Sequence, residues 1–157
     1  MLYIFDTSTL STVFNFYYRD SFPSFWSLFD EMILNKNILS VREVRNEIKN
    51  YKYKNELEVW AKANASFFSD PTQEELEFVT KIYSVPHFLN NISKKQQIKA
   101  EPIADPFVIA KAYIENGTVI TEEKNELNAA RIPNICAHFN IPCTNLQGFL
   151  KQENWSF

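Results

Sequence analysis

Glycine is almost missing from this chain: Gly117 and Gly148 are the two in 157 residues. A Walker-type loop and the dinucleotide fingerprint each need several glycines, so both are excluded, as is the Gly-x-Ser-x-Gly elbow of serine hydrolases. Cysteine is as scarce. Cys136 and Cys143 allow one disulfide, but no charged segment followed by an apolar stretch precedes Asp6, so a cytoplasmic protein with reduced thiols is expected. With His138 they make three soft ligands, one short of a closed zinc site. Apolar runs are broken by charged or amide residues well before eighteen positions, which leaves no membrane span.

Apolar and aromatic residues are plentiful. They make up 45% and 15% of the chain, enough for the core of one domain over residues 1–157 and too little length for two ordinary ones. A net charge of −3 does not favour a general nucleic-acid binder, so contact with a polyanion has to come from local patches. Lys49–Lys54, which interleaves lysine with Tyr51 and Tyr53, is one candidate; Lys94, Lys95 and Lys99 are another, although both read first as solvated surface.

Leu2-Tyr3-Ile4-Phe5 is a short apolar run that stops on Asp6-Thr7-Ser8-Thr9. It reads as a buried strand delivering a carboxylate at its end, while an Asp before Ser and Thr is also an ordinary helix cap. Ser8 to Tyr18 mixes small polar and aromatic residues up to a break at Arg19–Pro23. Phe25 to Asn35 is a helix with a core face. Ile38–Val41 is a second strand running into a helix over Arg42–Asn50, which offers Glu47, with Glu43 one turn earlier, toward the neighbouring strand end. A further helix covers Glu56–Asn64 with Trp60 inward, and Asp70 or Thr72 caps one over Gln73–Tyr83, whose early glutamates look incidental to function. Pro86–Ala100 is the least regular stretch, a candidate substrate-side loop, and His87 within it reads as a packing residue.

Ala104-Asp105-Pro106 opens a largely buried helix, with Asp105 as its cap, proline in its first turn and Gly117 at its end. Thr118–Thr121 is a third buried strand and hands over Glu122 and Glu123. Ile132–His138 is a short helix, Ile141–Thr144 a last strand and Leu146–Lys151 a closing helix. Strands alternating with helices predict an α/β fold, a three-layer α/β/α sandwich around a mostly parallel sheet. Asp6, Glu47, Asp105 and Glu123 would then meet at one sheet edge. Four carboxylates so close call for a cation, and an all-oxygen donor set points to Mg²⁺ or Mn²⁺. Such a site suits hydrolysis of phosphodiesters without a protein nucleophile.

Asp6-Thr7-Ser8, Val44-x-x-Glu47-Ile48, Asp105-Pro106-x-x-Ile109-Ala110-Lys111-Ala112 and Val119-Ile120-Thr121-Glu122-Glu123 resemble the motifs of PIN domains, as does the tail through Ile132-Pro133-Asn134 and Ile141-Pro142-Cys143. The resemblance implies a strand order of 3-2-1-4-5 and a metal-dependent endoribonuclease with Asp6, Glu47, Asp105 and Glu123 as catalytic and metal-holding acids. The last acid, often Asp in the family, is Glu here, and Glu122 competes with Glu123 for the place. The resemblance also implies the toxin of a toxin–antitoxin pair, with an RNA substrate, tRNA being one candidate, and a cognate antitoxin. The aromatics from Phe14 to Trp26 suggest an exposed patch, on which a homodimer would also form. Two other readings stand beside this one. One is a PIN-like binding module without catalysis. The other is a phosphoryl-transfer enzyme with Asp6 as nucleophile, which wants a second acid where Ser8 stands.

Overall fold

The computed structural model describes residues 1–50, 55–99 and 103–157, so Tyr51 and Tyr53 of the lysine–tyrosine segment lie outside the described residues. Five short strands form one sheet: β1 (Tyr3–Phe5), β2 (Ile38–Val41), β3 (Phe68–Ser69), β4 (Thr118–Ile120) and β5 (Cys143–Thr144). Their order is β3-β2-β1-β4-β5 and every pairing is parallel, the topology that the resemblance implied.

The sheet is built outward from β1. Tyr3, Ile4 and Phe5 are completely buried, and β1 pairs with β2 on one side and β4 on the other. Side chains alternate across a strand, so Tyr3 and Phe5 share one face. There Phe5 meets Phe29 of α2 (Pro23–Leu34), and both Tyr3 and Phe5 pack edge-on against Phe149 of α9 (Leu146–Gln152). The same layer holds α1 (Thr7–Phe16), α3 (Arg42–Lys49) and α4 (Glu56–Ala63), with Phe14 against Trp26 and Trp60.

The opposite layer is centred on α7 (Asp105–Ile114), which packs on β1, β2 and β4 and is flanked by α5 (Gln73–Tyr83) and α8 (Ile132–His138); α6 (Pro86–Lys99) leans on α5. Its aromatic cluster joins Phe78 to Tyr113 and Phe139 and Phe88 to Phe139 and His138, so His138 is a packing residue rather than a ligand. Cys136 and Cys143 are both free thiols. No helix among the described residues is long and apolar enough to cross a membrane.

Several local expectations change. Pro86–Lys99 is a fourteen-residue helix, not a loop. Of the early aromatics, Phe14, Phe25 and Trp26 belong to the core, and Phe16 and Tyr18 are the exposed ones. Thr72, not Asp70, caps α5 by accepting from the Glu75 amide, while Asp70 pairs with Arg42. After α7 the left-handed residue is Asn116, at φ 53°, and the Gly117 amide closes the turn on the Ala112 carbonyl. Gly148 is required by close approach, since a Cβ there would stand 3.1 Å from Thr144 Cβ and closer still to its hydroxyl.

The glutamates of α5 are not all incidental. Glu75 is buried on α5 and accepts from Lys111 of α7 at 3.0 Å, with side-chain exposures of 2% and 8%. Removing one partner strands a buried charge, whereas replacing both by apolar groups of similar volume removes the need for either. Lys111→Ala is expected to lower the unfolding free energy by about 3 kcal/mol. The Glu75→Leu/Lys111→Met double variant should return close to wild type in a urea titration, and a double variant as unstable as the single would show that the pair itself holds α5 to α7.

Candidate active site

The parallel strands all end on one side, and α1, α3 and α7 place acids there. Asp6 follows β1 directly, with 6% of its surface exposed, and serves two purposes at once. Its Oδ1 caps α1 by accepting from the Thr9 amide at 3.0 Å and also takes the Ser8 hydroxyl at 2.7 Å, while Oδ2 takes the Thr121 hydroxyl at 2.8 Å. The helix cap and the acid at the cavity wall are therefore one residue.

Glu47 stands near the end of α3, and its two oxygens join separate elements. Oε2 accepts from Thr7 at 2.5 Å and Oε1 from the Ala104 amide at 3.1 Å, tying α3 to the starts of α1 and α7. Glu43 lies elsewhere, buried and bonded to Arg42 through Oε1. Asp105 is the first residue of α7 rather than its cap, a position held by Ala104, and its carboxylate faces Lys95 at 3.2 Å.

The two glutamates after β4 part company. Glu122 Oε1 accepts from the Leu146 amide at the start of α9, whereas Glu123 Oε2 accepts from the Ile132 amide at the start of α8. Glu123 also lines the cavity shared with the other acids. That cavity, of about 180 Å³, is bounded by Asp6, Thr7, Ser8, Glu47, Lys99, Ala104, Asp105, Val108 and Glu123. All four acids expected to meet are on its wall, and Glu122 is not.

The electrostatics are those of crowded carboxylates. Burial pushes the Asp6 carboxyl up to about 7, helped by the negative charge of Asp105 and opposed by the hydrogen bonds from Ser8, Thr9 and Thr121. Glu123 is likewise raised by burial and by Asp105, against the pull of the Ile132 amide, Lys95 and Arg131. Two lysines of α6 complete the setting: Lys95 at Asp105 and Lys99, 3.8 Å from Glu47 Oε1. In the sequence they read as surface or polyanion contacts, because the stretch carries no sign of a helix that would aim both at one place.

The donor set is all oxygen and carries four formal negative charges against these two lysines, a balance that a hard divalent cation would complete. Among the described residues, however, no group of three or more His, Cys, Asp or Glu side chains is arranged to hold a metal ion as it stands. The carboxylates are instead engaged with hydroxyls, amides and the two lysines, so loading would have to redirect them.

A parallel 3-2-1-4-5 sheet between two helical layers, with acids gathered where the strands end, is the PIN-domain fold. Residues 3–157 match the family described as a domain of unknown function, DUF4411, and the chain belongs to that family. No curated protein matches the chain. Among solved structures, a chain of VapBC2 from Rickettsia felis, determined bound to a DNA fragment from their promoter, is similar in fold. The TM-score is 0.50 and the identity 15%, over 92% of this chain and 98% of that one.

The raised Asp6 pKa makes a stability prediction for the metal-free protein. A carboxyl whose folded value exceeds its unfolded one stabilises the fold fully below the ordinary value of 3.8, and that contribution is lost as pH rises through about 7. Above that pH the ionised Asp6 costs at most roughly 4 kcal/mol at 1.36 kcal/mol per pH unit. Asp6→Asn should accordingly raise Tm by about 5–10 °C at pH 8, by roughly a third of that near pH 5 and by almost nothing near pH 3. A calorimetric series across that range checks the sign; a Tm difference that does not vary with pH would exclude this account.

Proposed function

We propose that the chain is a metal-dependent endoribonuclease that hydrolyses RNA phosphodiester bonds and acts as the toxin of a toxin–antitoxin pair. The observation that carries the reading is that Asp6, Glu47, Asp105 and Glu123, from four separated segments, line one small cavity at the strand ends. These four side chains would hold Mg²⁺ or Mn²⁺. When bound, the cation supplies an activated water and charge stabilisation at the leaving oxygen.

The chain's own groups do the positioning. Ser8 and Thr121 orient Asp6, while the Ile132 amide orients Glu123. Thr7 and the Ala104 amide orient Glu47. Fixed outer partners of this kind keep a set of ligands in register. Ser8 also accepts from the Glu122 amide, and Thr121 from that of Glu123, so the ends of β1 and β4 are stitched together beneath the cavity.

An acidic cavity also suits a basic side chain from a protein partner, and the fold shared with a chain of VapBC2 supports an antitoxin that covers it. Exposed Phe16 and Tyr18 offer apolar area to such a partner or to a second copy of the chain. A toxin that meets its RNA, tRNA being the first candidate, would work in the cytoplasm.

Purified protein incubated with total RNA and a labelled tRNA pool is expected to give discrete cuts with Mg²⁺ or Mn²⁺. Chelator should abolish them, and Asp105→Asn should slow them by at least roughly 100-fold. Absence of cleavage together with absence of Mn²⁺ uptake by calorimetry would replace the nuclease reading with that of a binding module.

A further inference from the structure

We infer that Lys95 and Lys99 of α6 are built-in counter-ions of the acidic cavity, which a divalent cation displaces and which then hold the phosphate backbone of the RNA strand. The inference rests on the nuclease reading and adds to it the residues that take the substrate.

The two lysines are four apart and so lie on one face of α6. Lys95 Nζ is 3.2 Å from Asp105 Oδ2, and Lys99 Nζ is 3.8 Å from Glu47 Oε1. Among the described residues these are the ion pairs made by the four acids of the cavity. The acid partners are well buried, at 14% and 13% side-chain exposure, while the lysines are 35% and 51% exposed. The ammonium groups thus reach in from the rim, each from a partly exposed side chain.

The helix that carries them is lightly held. Phe88 and Ile92, in its first half, are its buried residues; beyond Ile92 none is buried, and Ile98 is 85% exposed. Among the described residues, its second half makes polar contact with the body through the hydrogen bond from Gln96 to the Tyr83 hydroxyl and through the two lysine pairs. Contacts of this kind between partly exposed charges are weak and exchange readily for a better partner.

A carboxylate whose charge is met by a hard dication attracts an ammonium less, so the two modes compete. Once the carboxylates turn to the dication, the two lysines at the rim are held less firmly by Asp105 and Glu47. A phosphodiester strand supplies one negative charge per nucleotide, and lysine binds such groups as a compact point charge.

The test compares wild type with Lys95→Gln/Lys99→Gln and the charge-preserving Lys95→Arg/Lys99→Arg. Mn²⁺ binding is followed by calorimetry, and binding of a 2′-O-methylated RNA, which resists cleavage, by fluorescence anisotropy in Mn²⁺ across a salt series. The Gln variant is expected to bind Mn²⁺ about tenfold tighter, since two competing cations are gone. Its RNA affinity should fall by about tenfold and the salt slope should lessen by about one. The Arg variant should restore the slope.

Mn²⁺ affinity in the Gln variant equal to or weaker than wild type, with Tm unchanged, would overturn the inference and leave the nuclease reading standing. Lack of Mn²⁺ uptake by wild type as well would remove both. Should the double variant fold poorly, Lys99→Gln alone, at the more exposed position, carries the same comparison.

Discussion

Taking a carboxylate out of water is costly unless its charge is met, and the end of β1 does this to Asp6 with other acids close by. Much of the surrounding structure answers that cost. Three donors converge on Asp6 from Ser8, Thr9 and Thr121, and Thr9 and Thr121 are themselves fully or almost fully buried. Those donors do not suffice, as the upward shift of the Asp6 carboxyl shows. The neighbouring acids are met differently, Asp105 by Lys95 and Glu47 by Lys99, both from the second half of α6.

The parts of this arrangement that the sequence made legible are those where one local signal has one structural outcome. A run of large apolar residues stopped by Asp and small hydroxyls can hardly be other than a buried strand entering a helix, and β1 with Asp6 is that. Glu47 followed from its place beside the Val44–Ile48 seam of α3, which is buried as expected. The strand order came from resemblance and not from periodicity.

What stayed hidden depended on distant partners. Glu122 and Glu123 are adjacent and chemically alike; they are sorted by the starts of α9 and α8, residues 146 and 132, which no local pattern connects to them. The helix over Pro86–Lys99 was missed because its apolar signal reduces to Phe88 and Ile92, one turn apart, followed by lysines and glutamines that a loop would also carry. Scarcity of glycine had a reading as well. Left-handed turns at Asn116, Asn128, Asn140 and Asn154, and at Lys36, are made without it, asparagine bearing most of the strain. The gain is a backbone with fewer unfolded conformations to lose.

The central strand also sets a schedule. β1 is near the start of the chain, yet one of its two neighbours is β4, and the Tyr3 hydroxyl is bonded to Glu153 at 2.5 Å. The acid at residue 6 acquires its companions only when residues 105 and 123 have joined it, and Phe149 covers its strand later still. On a ribosome adding about 5–20 residues per second, several seconds pass between the first acid and the last. A nascent chain with this topology has no assembled cavity until residue 123 has followed residue 6, so the order of synthesis itself keeps the four acids apart from one another.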